Sequence, residues 1–188
     1  MTLTAPYSSF DPFQSQILTG NQPINLINLC KFNLNDKWSL LYRGTRDGFQ
    51  DKDFPSKCDE KPSTLTILKS KKYEFSFGGY TEAKWSSLVK FETDPNSFVF
   101  SLANKENRQC KIKTIFDCFS IYSDASRGYG LGVNDIFVTN NANKCYSHSH
   151  LGSTYKHPQH AAGSHEAKSF MAGLEYFQLS EIEVYKKE

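Results

Sequence analysis

The side chains best suited to chemistry are the histidines, and all five (His148, His150, His157, His160 and His165) fall in one stretch of the 188-residue chain. Their spacing has the makings of a metal site. His148 and His150, two apart, would point to one side of a strand, while the three-residue step from His157 to His160 suits a helical turn. With Glu166 nearby, the donor types are those of a Zn²⁺ centre that activates water for hydrolysis. Against this, Pro158 breaks the second pair and no Cys-x-x-Cys pair accompanies the set. Solvated loop histidines are the plainer reading. No metal and no cofactor are therefore expected; His148, His150, His157 and His160 would be the ligands if one bound.

Thiol chemistry is the second candidate. Cys30, Cys58, Cys110, Cys118 and Cys145 are odd in number and widely spaced, which points to free thiols in a reduced, intracellular setting. A redox-active thiol needs exposure and a lowered pKa. Lys57 beside Cys58 and Lys144 beside Cys145 make those two the candidates for a thiol-based redox protein. Small buried hydrophobes are the alternative for each.

The third constellation is Leu40-Leu41-Tyr42-Arg43-Gly44-Thr45-Arg46-Asp47-Gly48-Phe49. An apolar strand ends in glycine turns carrying Arg43, Arg46 and Asp47. Asp47 before Gly48 suits a carboxylate that satisfies backbone donors in a tight turn, and Arg43 and Arg46 are open as partner contacts. Glu181 and Glu183 alternate on the last strand and so share a face, which reads either as a polar edge or as a docking site. Ser, His and Asp all occur, but no nucleophile elbow does. Gly128-Tyr129-Gly130-Leu131-Gly132 lacks the βαβ surroundings of a dinucleotide loop and reads as a flexible turn. A non-enzymatic protein is expected.

Short strands must position these groups. Gln22-Pro23 opens a helix with Ile24, Leu26, Ile27 and Cys30 on its apolar face. Trp38–Tyr42, Leu65–Leu68, Tyr73–Phe77, Ser97–Leu102, Lys111–Thr114, Cys118–Tyr122, Asp135–Thr139 and Tyr176–Tyr185 read as strands, the last with a bulge near Ser180-Glu181. Phe49–Cys58 reads as a short helix interrupted by Pro55, and Gly78-Gly79-Tyr80 as a turn. Residues 140–175 show little periodicity and read as a long loop. Residues 1–9 read as loose. We divide the chain into residues 1–37, a polar segment and short helix packing on the domain, and a main domain over 38–188.

Composition agrees. Aromatic residues make up 14% of the chain, which favours pleated structure. The net charge of +2, from 22 basic and 20 acidic residues, makes no case for nucleic acid or an anionic membrane surface. No apolar run approaches a bilayer span, and no signal peptide is evident. The expected class is mostly β (α+β), a β-sandwich with a few short helices.

In this order the segments resemble the TLDc domain family. Leu40–Phe49 is followed by Cys58-Asp59, Thr64–Lys69 and Phe77-Gly78-Gly79-Tyr80-Thr81 with Trp85. Phe98–Leu102, Asp135–Val138 and Phe177–Tyr185 complete the set. The resemblance spans about residues 38–188. It implies a two-sheet antiparallel sandwich, a role in oxidative-stress protection and, for some members, binding to the vacuolar proton-pumping ATPase (V-ATPase). It brings across no catalytic residues. The stretch Tyr155-Lys156-His157-Pro158-Gln159 follows the family pattern, whereas the other four histidines look particular to this chain. The expectation is an intracellular, cytoplasmic, monomeric interaction domain for a protein partner. Gly44, Asp47, Gly48, Gly78, Gly79 and Trp85 would be its architectural residues, and Arg43, Arg46, Glu181 and Glu183 the candidates for partner binding.

Overall fold

In the computed structural model the structure describes residues 10–116 and 118–188; the loose segment expected over 1–9 lies outside them. Helix α1 (Gln22–Cys30) is followed by β1 (Trp38–Arg43), α2 (Gly44–Asp47) and α3 (Asp53–Cys58). Strands β2 (Thr64–Ser70), β3 (Ser76–Thr81), β4 (Lys90–Glu92), β5 (Phe98–Ser101) and β6 (Cys110–Lys113) come next. Then come β7 (Ile121–Asp124), β8 (Gly128–Leu131), β9 (Ile136–Thr139) and β10 (Ser147–His148). Helix α4 (His165–Ser169), β11 (Tyr176–Phe177) and β12 (Leu179–Lys187) close the chain.

The strands form two six-stranded antiparallel sheets, ordered β1-β12-β2-β3-β5-β6 and β11-β10-β9-β8-β7-β4. The expected sandwich is what the chain builds. Its core lies between the sheets: Leu68, Phe77, Val99 and Val184 of the first meet Ile121, Leu131, Ile136 and Phe177 of the second. A second apolar cluster covers the far face of the first sheet. There Leu26, Ile27 and Cys30 of α1, with Phe13, Ile17 and Leu18 before it, pack on Leu65, Ile67, Phe98 and Phe100. Strand β2 is thus buried on both faces, which is why Leu65-Thr66-Ile67-Leu68 reads as a continuous rather than an alternating run.

Three local readings need correction. Gly78 and Gly79 are not a turn; they lie within β3, where a Cβ on Gly78 would stand 1.9 Å from the Thr66 carbonyl oxygen and one on Gly79 2.6 Å from Leu131. Glycine is there for close approach of neighbouring strands and sheets. Gly128–Leu131 is likewise strand β8, with Tyr129 and Leu131 in the core. The hairpin strand begins at Ser76 instead of Tyr73, because Glu74 takes a left-handed φ of 56° and the Glu74 N–H closes a turn on the Ser70 carbonyl.

Phe49 stands outside the helix expected over 49–58. Only α3 lies within that stretch; α2 precedes it and ends at Gly48, whose φ is 107°, and Pro55 is tolerated in the first turn of α3. The bulge near Ser180 is present as a register shift between Leu179 and Glu181. The long loop expected over 140–175 is interrupted by β10 and α4, and the stretch is well packed. Ala142, Leu151, Tyr155, Phe170 and Met171 are buried in the main core. The Asp135 carboxylate, itself fully buried, accepts the N–H groups of Gly152 (2.9 Å), Ser153 (3.1 Å), Thr154 (2.8 Å) and Tyr155 (3.0 Å) and so pins the loop to the start of β9.

Candidate functional site

The run after β1 is built around two buried glutamates. Arg43 lies opposite Glu183 in the β1–β12 register. Glu183 Oε1 accepts Arg43 Nε at 2.9 Å and the Gln16 N–H at 2.9 Å; Oε2 accepts Ser15 Oγ at 2.5 Å and the Tyr185 hydroxyl at 2.9 Å. Arg43 Nη2 adds a 2.8 Å ion pair. Glu183 is fully buried and Glu181 almost so. Glu181 accepts the N–H and hydroxyl of Thr45 and the Ile182 N–H, anchoring the start of α2. The polar-edge reading of these glutamates is therefore corrected. Strand β12 lies between β1 and β2, and Ser15 and Gln16 cover the Glu183 carboxylate. Neither carboxylate is turned to solvent.

Asp47 accepts the Arg43 N–H at 2.9 Å and is bonded by Arg46, whose Nη2 also reaches the Leu41 carbonyl at 3.0 Å. Burial works to raise the Asp47 carboxyl, but the Arg46 and Arg43 bonds outweigh it and hold it below its usual range. Of the two arginines, Arg46 is the accessible one, its side chain 46% exposed against 13% for Arg43. Gly44 is buried at the start of α2, and the Gly48 carbonyl accepts the Tyr42 hydroxyl at 2.6 Å. Trp85 is buried and donates its indole N–H to Thr64 Oγ1 at 2.8 Å.

Four of the five histidines form two separate pairs, and His165 opens α4 apart from them. The His148 and His150 rings are 4.8 Å apart, and His150 pairs with Glu175 at 2.9 Å. The His157 and His160 rings stack at 4.3 Å, and His160 pairs with Glu106 at 2.5 Å. Among the described residues no three His, Cys, Asp or Glu side chains converge in a geometry that could hold a metal. His157 is buried, and its Nδ1 accepts the N–H groups of Gln159 and His160. Burial first, then the neighbouring His160, pushes its pKa down to about 4.

The thiols divide by position. Cys58 is fully buried, and burial, aided by Asp59 and Asp47, drives its thiol far up, opposite to what a reactive thiolate needs. That corrects the candidacy suggested by Lys57. Cys30 is pushed up to about 12 and Cys110 to about 11 by burial, while Cys118 and Cys145 are exposed.

One feature escaped the sequence reading. Across the outer face of the second sheet, direct cross-strand partners form a single row, Phe91–Tyr122–Gly130–Phe137–His148–Tyr176. Ring centroids follow one another at 4.8 Å (Phe91–Tyr122), 6.2 Å (Tyr122–Phe137), 5.2 Å (Phe137–His148) and 6.2 Å (His148–Tyr176). Gly130, lacking a side chain, lets Tyr122 and Phe137 meet across it. Phe119 adds an edge contact to Phe91. Phe91 is 42% exposed, Tyr176 54% and the neighbouring Val89 69%. The first sheet has its outer face covered by α1 and the segment before it, whereas among the described residues this row has no such cover. A contiguous exposed apolar patch of this kind is the usual mark of an interaction surface.

Fold and site together define a class: an antiparallel β-sandwich whose charged motif residues are structural and whose second sheet carries an exposed aromatic face. The chain belongs to the TLDc domain family, whose model matches residues 12–188. The match takes in α1 and the residues before it that bury the first sheet. No curated protein matches the chain. Among the described residues no helix is long and apolar enough to cross a membrane.

Proposed function

We propose that this TLDc protein is a non-enzymatic interaction domain of the cytoplasm that binds the V-ATPase and through it contributes to protection against oxidative stress. The family supplies the partner class. The observation that carries the reading is the open aromatic row from Phe91 to Tyr176, since burying such a face against a partner is favourable by about 25 cal/mol per Å² of apolar area. The buried Arg43–Glu183 and Thr45–Glu181 contacts support an architectural role for most of the turn run, leaving Arg46 as its accessible charge.

The test is capture of purified V-ATPase soluble sector by the immobilised chain, read by biolayer interferometry. Saturable binding is expected. Absence of binding at micromolar sector would remove the V-ATPase as partner.

A further inference from the structure

Two grooves that share one chemistry lie along the aromatic row and just beyond it. The first, about 400 Å³, is floored by Phe91, Tyr122 and Phe137 and carries Arg127. The second, about 240 Å³, lies beyond Tyr176 and is lined by Tyr146, Leu174, Lys71 and Lys72. His148 lines the first and Tyr176 the second, and these two are direct cross-strand partners, so the grooves adjoin. Neither groove has a carboxylate in its lining.

The cations are not neutralised locally. Arg127 is exposed, and among the described residues its guanidinium takes part in no hydrogen bond or ion pair. The Asp124 carboxylate on the same hairpin is engaged by the Tyr122 hydroxyl and by Ser126. Among the described residues Lys71 Nζ reaches only the Asn143 carbonyl, and Lys72 lies over the Tyr73 ring. Glu175, the acidic residue next to Tyr176, is tied to His150 and Lys168.

The edges of this sheet are poor templates for strand addition. β4 has three residues and β11 two, and short edge strands resist pairing with another chain. The row crosses six strands, hence five spacings of about 4.8 Å, or about 24 Å. An α-helix of about 16 residues covers that length. Helix α1, with Phe13, Ile17 and Leu18 before it, already packs on the outer face of the first sheet.

We infer that the outer face of the second sheet docks an acidic amphipathic helix of a partner protein, its apolar side on the Phe91–Tyr176 row and its carboxylates toward Arg127, on the β7–β8 hairpin flanking the row, and toward Lys71 and Lys72 beyond Tyr176. The inference rests on the interaction reading above and names the chemistry of the partner.

The test uses two labelled amphipathic helical peptides of about 16 residues, identical on an apolar face of Leu and Phe. One carries Glu on its flanks and the other Lys at the same positions. Fluorescence anisotropy on the full chain at low salt should show the Glu peptide binding about tenfold tighter or better. Phe91→Ser with Tyr176→Ser should weaken the Glu peptide by about tenfold or more without moving the melting temperature, since both residues are exposed. Arg127→Glu with Lys72→Glu should abolish or reverse the preference.

Equal binding of the two peptides, or a preference untouched by these substitutions, overturns the inference. So does a concentration-dependent dimer that the Phe91→Ser, Tyr176→Ser variant dissociates, for then a second copy covers the face. A chain that keeps the peptide preference but fails to bind the V-ATPase sector loses that named partner and not the docking chemistry.

Discussion

Arg43 and Glu183 stand opposite each other on β1 and β12, joined by a 2.8 Å ion pair between a guanidinium that is 13% exposed and a carboxylate that is fully buried. The same carboxylate holds Ser15 and the Gln16 N–H. One residue pair thus ties the edge strand, the closing strand and the segment leading into α1. Arg43→Ala leaves a buried charge without its partner and should cost about 3–5 kcal/mol in denaturant unfolding. Arg46→Ala, at an exposed pair, should cost about 1 kcal/mol or less by the same measurement.

Asp135 holds residues 152–155 in place through four backbone N–H groups. Asp135→Ala strands those donors and should destabilise by about 3 kcal/mol or more. Hydrogen exchange should rise first at residues 152–155. Protection there equal to wild type would show that packing alone orders the loop.

His157 sets a pH dependence. Its folded pKa of about 4 lies below the ordinary 6.5, so the unfolded chain binds more protons between those values. Stability from this group is complete above about pH 6.5 and is lost as pH falls toward 4. Protonation also removes the Nδ1 acceptor used by Gln159 and His160. Melting temperature should therefore fall from pH 7 to pH 5, and His157→Gln should flatten that fall while lowering the value at pH 7. An unchanged slope in the variant would assign the dependence to other groups.

The five thiols should separate under alkylation. Cys118 and Cys145 are exposed and should label within the time of the native assay, while Cys30 and Cys58, buried and with raised pKa, should label only on unfolding. Peptide mapping by mass spectrometry reads this directly. Fast native labelling at Cys58 would contradict its burial.

The strands and the sandwich were legible because alternation and turn chemistry are local. Phe98, Phe100 and Leu102 announced one face, and the apolar Phe177–Tyr185 announced the closing strand. What was not legible depended on distant partners. Gly78 and Gly79 resemble a turn until Thr66 and Leu131 crowd them. Glu181 and Glu183 resemble an exposed polar pair until Ser15, Gln16 and Thr45, from the other end of the chain, close over them. The aromatic row escaped because Tyr122 and Phe137 each alternate with core residues in strands of only four residues. Apolar side chains on both faces of Ile136-Phe137-Val138 were the available signal, since a strand apolar on both faces calls for cover on both.

The most direct test compares V-ATPase sector binding by wild-type chain and by the Phe91→Ser, Tyr176→Ser variant, each checked for an unchanged melting temperature. An interaction domain working through the second sheet predicts saturable wild-type binding and an affinity lowered by about tenfold or more in the variant. Equal affinities would contradict the aromatic row as the binding face.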